Sequence, residues 1–214
     1  MTSALPDLGF EYRYRSAPET TDSSPHTLLL LHGAGGDENS LWSAGETMAP
    51  GGALLSPRGK VDQNGTRFFR RTEAGGPDAD DLHARVGELA TFVSDACEAF
   101  SLDPSAVWVF GFSNGATMAT ALALDHPEAL AGGIVLAGLA PFAHQGRTLD
   151  GKGFFCGHGR SDEQVSSADY EDVVELLVTA GAEVELHWFD TGHEVTQEQL
   201  AGATGWLQRQ LEKA

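Results

Sequence analysis

Residues 107–119 read Val-Trp-Val-Phe-Gly-Phe-Ser-Asn-Gly-Ala-Thr-Met-Ala, and they constrain the fold more than any other stretch. The first four are apolar and β-prone, and those from Ala116 on are small and helix-friendly. Between them Gly111, Phe112, Ser113, Asn114 and Gly115 spell Gly-x-Ser-x-Gly. The pattern predicts a strand that breaks sharply into a helix and lifts a serine hydroxyl above the sheet. Such a turn is strained and packs tightly, so its flanking positions leave no room for a Cβ.

The rest of the chain alternates around that turn. Residues 10–15 interleave aromatic and charged side chains, which predicts an edge strand with one wet face. Residues 16–25 form a polar turn region, and residues 27–32 a continuous apolar run, as in a strand buried on both faces. Further strands are expected at 53–56, 134–137, 153–159 and 184–189, and helices at 41–48, 78–100, 116–124, 170–180 and 195–212. In the longest of these, Leu82, Val86, Leu89, Val93, Ala96 and Phe100 make one apolar face, and Asp78, Asp80 and Asp81 complement its N-terminus. Strands alternating with helices predict right-handed crossovers and a mostly parallel, doubly wound α/β sheet of about seven strands. One domain over residues 1–214 is expected, with no separate lid domain. Ligands of such sheets sit beyond the C-terminal strand ends.

Composition narrows the partners. With 41% hydrophobic and 21% charged residues, a folded globular chain is the expectation. A net charge of −18 argues against nucleic acid or an anionic membrane surface. No Cys/His spacing reads as a metal site, no cofactor is expected, and Cys97 and Cys156 read as buried free thiols. Residues 1–7 lack a basic segment followed by an apolar one, and no apolar run approaches the ~18 residues of a membrane span. A cytoplasmic location without membrane insertion is expected.

Two loops carry unusual composition. After the second strand comes Gly33-Ala34-Gly35-Gly36, whose glycines let the backbone turn outward with N–H groups free to point into a site. Neither phosphate-binding glycine spacing is present and no lysine is near, so half of an oxyanion hole is the better reading. Residues 58–76 form the longest irregular segment. Within it, residues 58–71 hold Arg58, Lys60, Arg67, Arg70 and Arg71, five of the 13 basic residues, and only Asp62 of the 31 acids. That leaves +4 here and −22 elsewhere. These cations either neutralise nearby carboxylates or, with Phe68 or Phe69, shape a substrate pocket.

A serine hydroxyl is a poor nucleophile until a base takes its proton, and that base needs a carboxylate to orient it. Asp162 and His193 each follow a predicted strand, and the chain order Ser113, Asp162, His193 is the one expected of an α/β-hydrolase. Asp150, Asp169, Asp172 and Asp190 compete for the acid. Asp169 and Asp172 fall in a helix, and Asp190 stands too close before the histidine. His126 precedes Pro127, His187 lies inside a strand, and His32 and His158 adjoin the site loops as structural neighbours.

These motifs together resemble the small serine carboxylesterase/phospholipase-type α/β-hydrolases, the group that includes acyl-protein thioesterases. The matching stretches are residues 31–38, 111–116, 158–162 and 192–194, and the likeness runs from Leu28 onward. Residues 56–59, Asn64-Gly65 and residues 67–71 resemble more narrowly the bacterial MhqD-like hydrolases. The resemblance implies Ser113, Asp162 and His193 as a triad, with the backbone N–H groups of Ala34 and Asn114 as oxyanion hole. Asn114 stands where acyl-protein thioesterases carry Gln, a departure that argues against lipidated-protein substrates. The expected reaction is hydrolysis of small esters or thioesters, short-chain or aryl, with Trp42, Arg58, Phe68, Phe69, Leu139 and Phe142 as pocket candidates. Two alternatives use the same fold: a ligand-sensing protein with slow turnover, and a C–C or peptide bond hydrolase.

Overall fold

The apolar runs become strands whose successive side chains feed opposite faces, as the two-residue period of a strand requires. In the computed structural model, which describes residues 5–18, 26–143 and 146–213, strand β2 (Thr27–Leu31) is buried throughout. Its Leu28 and Leu30 pack under helices α1 (Trp42–Met48) and α5 (Gln197–Leu211). Its Leu29 and Leu31 pack under α2 (Ala79–Phe100), α3 (Asn114–Asp125) and α4 (Ser167–Thr179). Fully burying one such leucine contributes about 1.5–3 kcal/mol, so a strand of this composition is stable only between two layers of helix.

Besides β2, the main sheet holds β1 (Tyr12–Arg15), β3 (Ala53–Pro57), β6 (Val107–Phe112), β7 (Gly132–Leu136), β8 (Gly153–Gly159) and β9 (Glu183–Phe189). Among the described residues it has seven strands in the order β1-β3-β2-β6-β7-β8-β9. Only the β1–β3 pairing is antiparallel, and the other neighbours run parallel. This is the α/β-hydrolase fold. β6 lies at the centre, so the turn at Ser113 opens at the middle of the C-terminal rim.

Helix boundaries follow their caps. The Asp78 carboxylate accepts the Asp81 N–H and starts α2, and the predicted apolar face is buried from Leu82 to Ala96. Helix α4 begins earlier than the periodicity predicts, because Ser166 accepts the Asp169 N–H. Helix α5 begins later, because Thr196 and Gln199 form a capping box. The segment expected to be irregular over 58–76 contains a small hairpin of its own, β4 (Val61–Asp62) with β5 (Thr66–Arg67). Asn64 (φ 53°) and Gly65 (φ 102°) turn it, and an Asn-Gly pair is a hairpin signal that composition had obscured. The polar region at 16–25 lies largely outside the described residues.

Cys97 and Cys156 are free and buried, and burial pushes the Cys156 thiol up to about 12. Among the described residues no helix is long and apolar enough to cross a membrane, and no group of three His, Cys, Asp or Glu side chains could hold a metal ion.

Candidate active site

The elbow glycines answer to distance. A Cβ on Gly115 would stand 1.9 Å from the Leu31 carbonyl oxygen, and one on Gly111 would stand 2.5 Å from that of Gly115. Both contacts are to backbone, which cannot swing aside. Between them Ser113 adopts φ 53°, ψ −115°, a conformation costing about 1–3 kcal/mol for a side chain with a Cβ. Its N–H donates to Leu136 O (2.9 Å), and its carbonyl accepts the N–H groups of Ala116 and Thr117 (3.0 Å each). The strain is thus carried by a backbone bonded on both sides, and the hydroxyl is left facing outward.

The His193 ring meets that hydroxyl, with Nε2 2.9 Å from Ser113 Oγ and Nδ1 2.7 Å from Asp162 Oδ2. Residues 80 and 31 positions apart in the chain are therefore joined in one line of hydrogen bonds. The loops that carry them are laced together, since Arg160 N–H donates to Phe189 O (2.8 Å) and Ser161 N–H to Thr191 O (3.0 Å). Phe112 packs against the imidazole, with ring centroids 5.1 Å apart.

The Asp162 side chain is fully buried. Burial by itself raises its carboxyl pKa, but the Val165 N–H, the His193 ring and the Gln164 N–H outweigh that and hold it below the ordinary carboxylate value. Its Oδ1 accepts the two N–H groups at 3.0 and 2.8 Å, which leaves Oδ2 for the imidazole. His158 Nδ1 is farther from that oxygen, at 4.0 Å, and the His158 ring stacks on Tyr170 instead. The competing groups are placed elsewhere. Asp169 Oδ2 accepts from the Ser166 hydroxyl, exposed Asp190 faces Arg160, His187 pairs with Glu185 and His126 with Glu128.

A cleft of about 60 Å³ opens beside Ser113 and His193, with Ala34, Asn114, Arg67, Phe69, Arg71 and Leu139 among its lining residues. No backbone carbonyl among the described residues accepts the N–H of Ala34 or of Asn114. Phe69 and Leu139 sit where the pocket was expected. Four other pocket candidates do not, and each has a physical reason. Trp42 is buried below the sheet's other face, its indole N–H on Glu46 and the Arg13 guanidinium 3.9 Å above the ring. Arg58 is clamped between Glu11 (2.8 Å) and Glu38 (2.6 Å). Phe68 is core and packs on His32. Phe142 stacks on His83 and faces a separate groove beside α4.

Sequence reasoning did not assign Thr117, Gln164 and Val165 to the cleft. It also missed how the 58–77 segment is anchored there. The Asn114 side chain accepts the Phe68 N–H at 2.7 Å, the Gly35 N–H donates to Thr66 O at 2.8 Å, and His32 Nε2 accepts the Gly59 N–H at 2.9 Å. The other His32 nitrogen, Nδ1, lies 2.7 Å from Gly33 O. An acceptor at Nε2 and a donor at Nδ1 describe a neutral ring, and burial pushes the His32 pKa below the ordinary histidine value.

Comparison with known proteins agrees with this frame. A family model described as Phospholipase/Carboxylesterase matches residues 16–211. MhqD of Bacillus subtilis is 34% identical over 191 residues, covering 88% of this chain and 96% of MhqD. The Bacillus cereus carboxylesterase structure superposes with a TM-score of 0.88 at 34% identity, covering 94% of each chain. A carboxylesterase structure from Mesorhizobium loti gives 0.88 at 29% identity, over 95% of this chain and 97% of that one. The chain belongs to the phospholipase/carboxylesterase family and is a hydrolase of the carboxylesterase type.

Proposed function

We propose that the protein hydrolyses small carboxylic esters or thioesters by way of an acyl-serine, with Ser113, His193 and Asp162 as the catalytic residues. The observation that carries this is the continuous relay from Asp162 through His193 to a serine held at positive φ. In this reading the Ser113 oxygen attacks the carbonyl carbon while its proton passes to His193 Nε2. Asp162 keeps the ring's Nδ1–H turned inward and stabilises the imidazolium. The tetrahedral oxyanion is met by the N–H groups of Ala34 and Asn114, a donor pair of which each member is worth about 3–4 kcal/mol of barrier. Collapse expels the alcohol or thiol, which takes the proton back from His193. Water then attacks the acyl-serine with the same histidine as base, releasing the carboxylic acid and restoring the hydroxyl.

The small cleft favours short acyl chains or compact aryl esters over long ones. Phe69 and Leu139 line that cleft together with Ser113. Ser113→Ala is expected to reduce kcat/KM on 4-nitrophenyl acetate by about 10⁴-fold or more. Retention of full activity by that variant would end the proposal. A rate that climbs steadily with acyl length would remove the short-chain part alone.

A further inference from the structure

The basic segment divides its cations into two sets. Arg58 pairs with Glu11 and Glu38, Lys60 with Glu88 at 2.9 Å, and Arg70 with the buried Asp81 at 3.0 Å. Arg67 and Arg71 are different, since neither pairs with a carboxylate among the described residues, and both line the cleft that holds Ser113. Each is fixed through Nε to a backbone carbonyl, Arg67 to Gln63 O (3.0 Å) and Arg71 to Gly75 O. Neither fork nitrogen of Arg67 or Arg71, Nη1 or Nη2, has a protein partner among the described residues. Arg71 is further steadied by Gln63, whose side chain accepts its N–H and donates to its carbonyl.

Holding two guanidinium groups in one cleft without an anion is unfavourable. Burial and the charge of Arg71 both push Arg67 below its ordinary value. In a chain with net charge −18, carboxylates to quench them are plentiful, and the other three cations of the segment found theirs. A half-buried pair of fixed, unneutralised forks beside a nucleophile is a built receptor for a planar anion.

We propose that the substrate carries a carboxylate in addition to its ester, and that Arg67 and Arg71 hold that carboxylate while Ser113 attacks the ester carbonyl. This rests on the serine-esterase reading above and adds a charge requirement that the family assignment does not contain. The two arginines are specificity residues, and their effect belongs to kcat/KM for anionic substrates.

Two pairs of esters test it, each matched in size and differing in charge. Monoethyl succinate against ethyl pentanoate, followed by proton release in a pH-stat, places the carboxylate on the acyl half. 4-Acetoxybenzoate against methyl 4-acetoxybenzoate places it on the leaving group. In at least one pair the anionic ester is expected to exceed the neutral one in kcat/KM by about tenfold to a hundredfold, as charged hydrogen bonds allow. The doubly substituted Arg67→Gln, Arg71→Gln protein should bring that ratio to about one. Arg67→Lys and Arg71→Lys keep the charge but give up the fork and the Nε bond to the loop, so each should lower the preference without bringing it to one. Lys60→Gln removes a cation paired outside the cleft and should leave the ratio as it is.

Neutral esters hydrolysed as well as or better than anionic ones in both pairs would overturn the proposal, as would a preference that survives the double Gln variant. If that neutral hydrolysis also disappears in Ser113→Ala, the esterase reading stands alone. Absence of turnover with all four esters removes both.

Discussion

Ser113 is flanked by two regions built on opposite principles. On one side the loops after β8 and β9 bring in Asp162 and His193. They are tied by their own backbone hydrogen bonds, and the one charge they bury, that of Asp162, is satisfied. On the other side the 58–77 segment approaches as a foreign surface. It is held by single hydrogen bonds to Asn114, Gly35 and His32 and by the ion pairs of Arg58, Lys60 and Arg70, and it brings two further cations with no carboxylate partner among the described residues. In the first region the buried charge of Asp162 is matched within the protein. In the second, Arg67 and Arg71 line the cleft with no carboxylate partner among the described residues, and the proposed substrate carboxylate would use that open capacity. Chemistry needs a preorganised relay, whereas recognition needs a bonding capacity left open.

Changes on the relay side should act on rate. Asp162→Asn keeps the shape but loses the charge that orients His193, and a drop of about 10³–10⁴ in kcat/KM is expected with Ser113 still present. An effect below tenfold would mean that the carboxylate does not set the ring, and the contrast between the two sides would fail.

Changes on the basic side should act first on stability and loop order. Asn114→Ala removes the acceptor of the buried Phe68 N–H, at a cost of about 1–3 kcal/mol. The Asn114 backbone N–H stays in place. Urea unfolding should show the loss, and amide exchange should speed up over residues 59–71 rather than over 159–165. Equal acceleration of both segments would show that the two regions are one cooperative unit.

The smallest effect expected is that of acid. Burial holds His32, and likewise His158, below the ordinary histidine value. The unfolded chain therefore binds more protons than the folded one as the pH falls through about 6.5. Their contribution is present above that value and is lost progressively toward the lower folded-state values. The thermal midpoint should fall between pH 7.5 and pH 5.5. Asp162, also held low, adds its own loss only when the pH drops below about 4. A midpoint flat from 7.5 to 5.5 would remove His32 as a pH-sensitive tie between the glycine loop and the basic segment.

Much of the site is legible in the chain because the signals are local. A strand feeding Gly-x-Ser-x-Gly can make few turns other than the one observed, since Gly115 and Gly111 stand against backbone oxygens. Asp162 and His193 are legible from chain order and loop placement, because rivals such as Asp169, Asp172 and His187 fall inside elements and Asp190 stands too close before the histidine. The pocket is less so. Phe68 and Phe69 are adjacent and chemically identical, yet Phe68 is packed on His32 in the core while Phe69 lines the cleft. Alternation along an irregular segment is set by what it docks on, here the Asn114 side chain. Trp42 and Phe142 were plausible as aromatics near site loops, but each found a closer partner, Arg13 and His83 respectively.

Local pattern along the chain accounts for the layering, the order of the loops that carry Ser113, Asp162 and His193, and the strained turn at the serine. Those depend on residue period, on caps and on the absence of side chains at two glycines, all read within a few positions. Which of five neighbouring cations are neutralised, and which two line the cleft at Ser113, is settled by tertiary packing alone. Pairing of that kind joins residues as distant as Glu11 and Arg58, or Lys60 and Glu88. A charge's partner is chosen by where the folded surfaces meet, and no local pattern along the chain encodes that meeting.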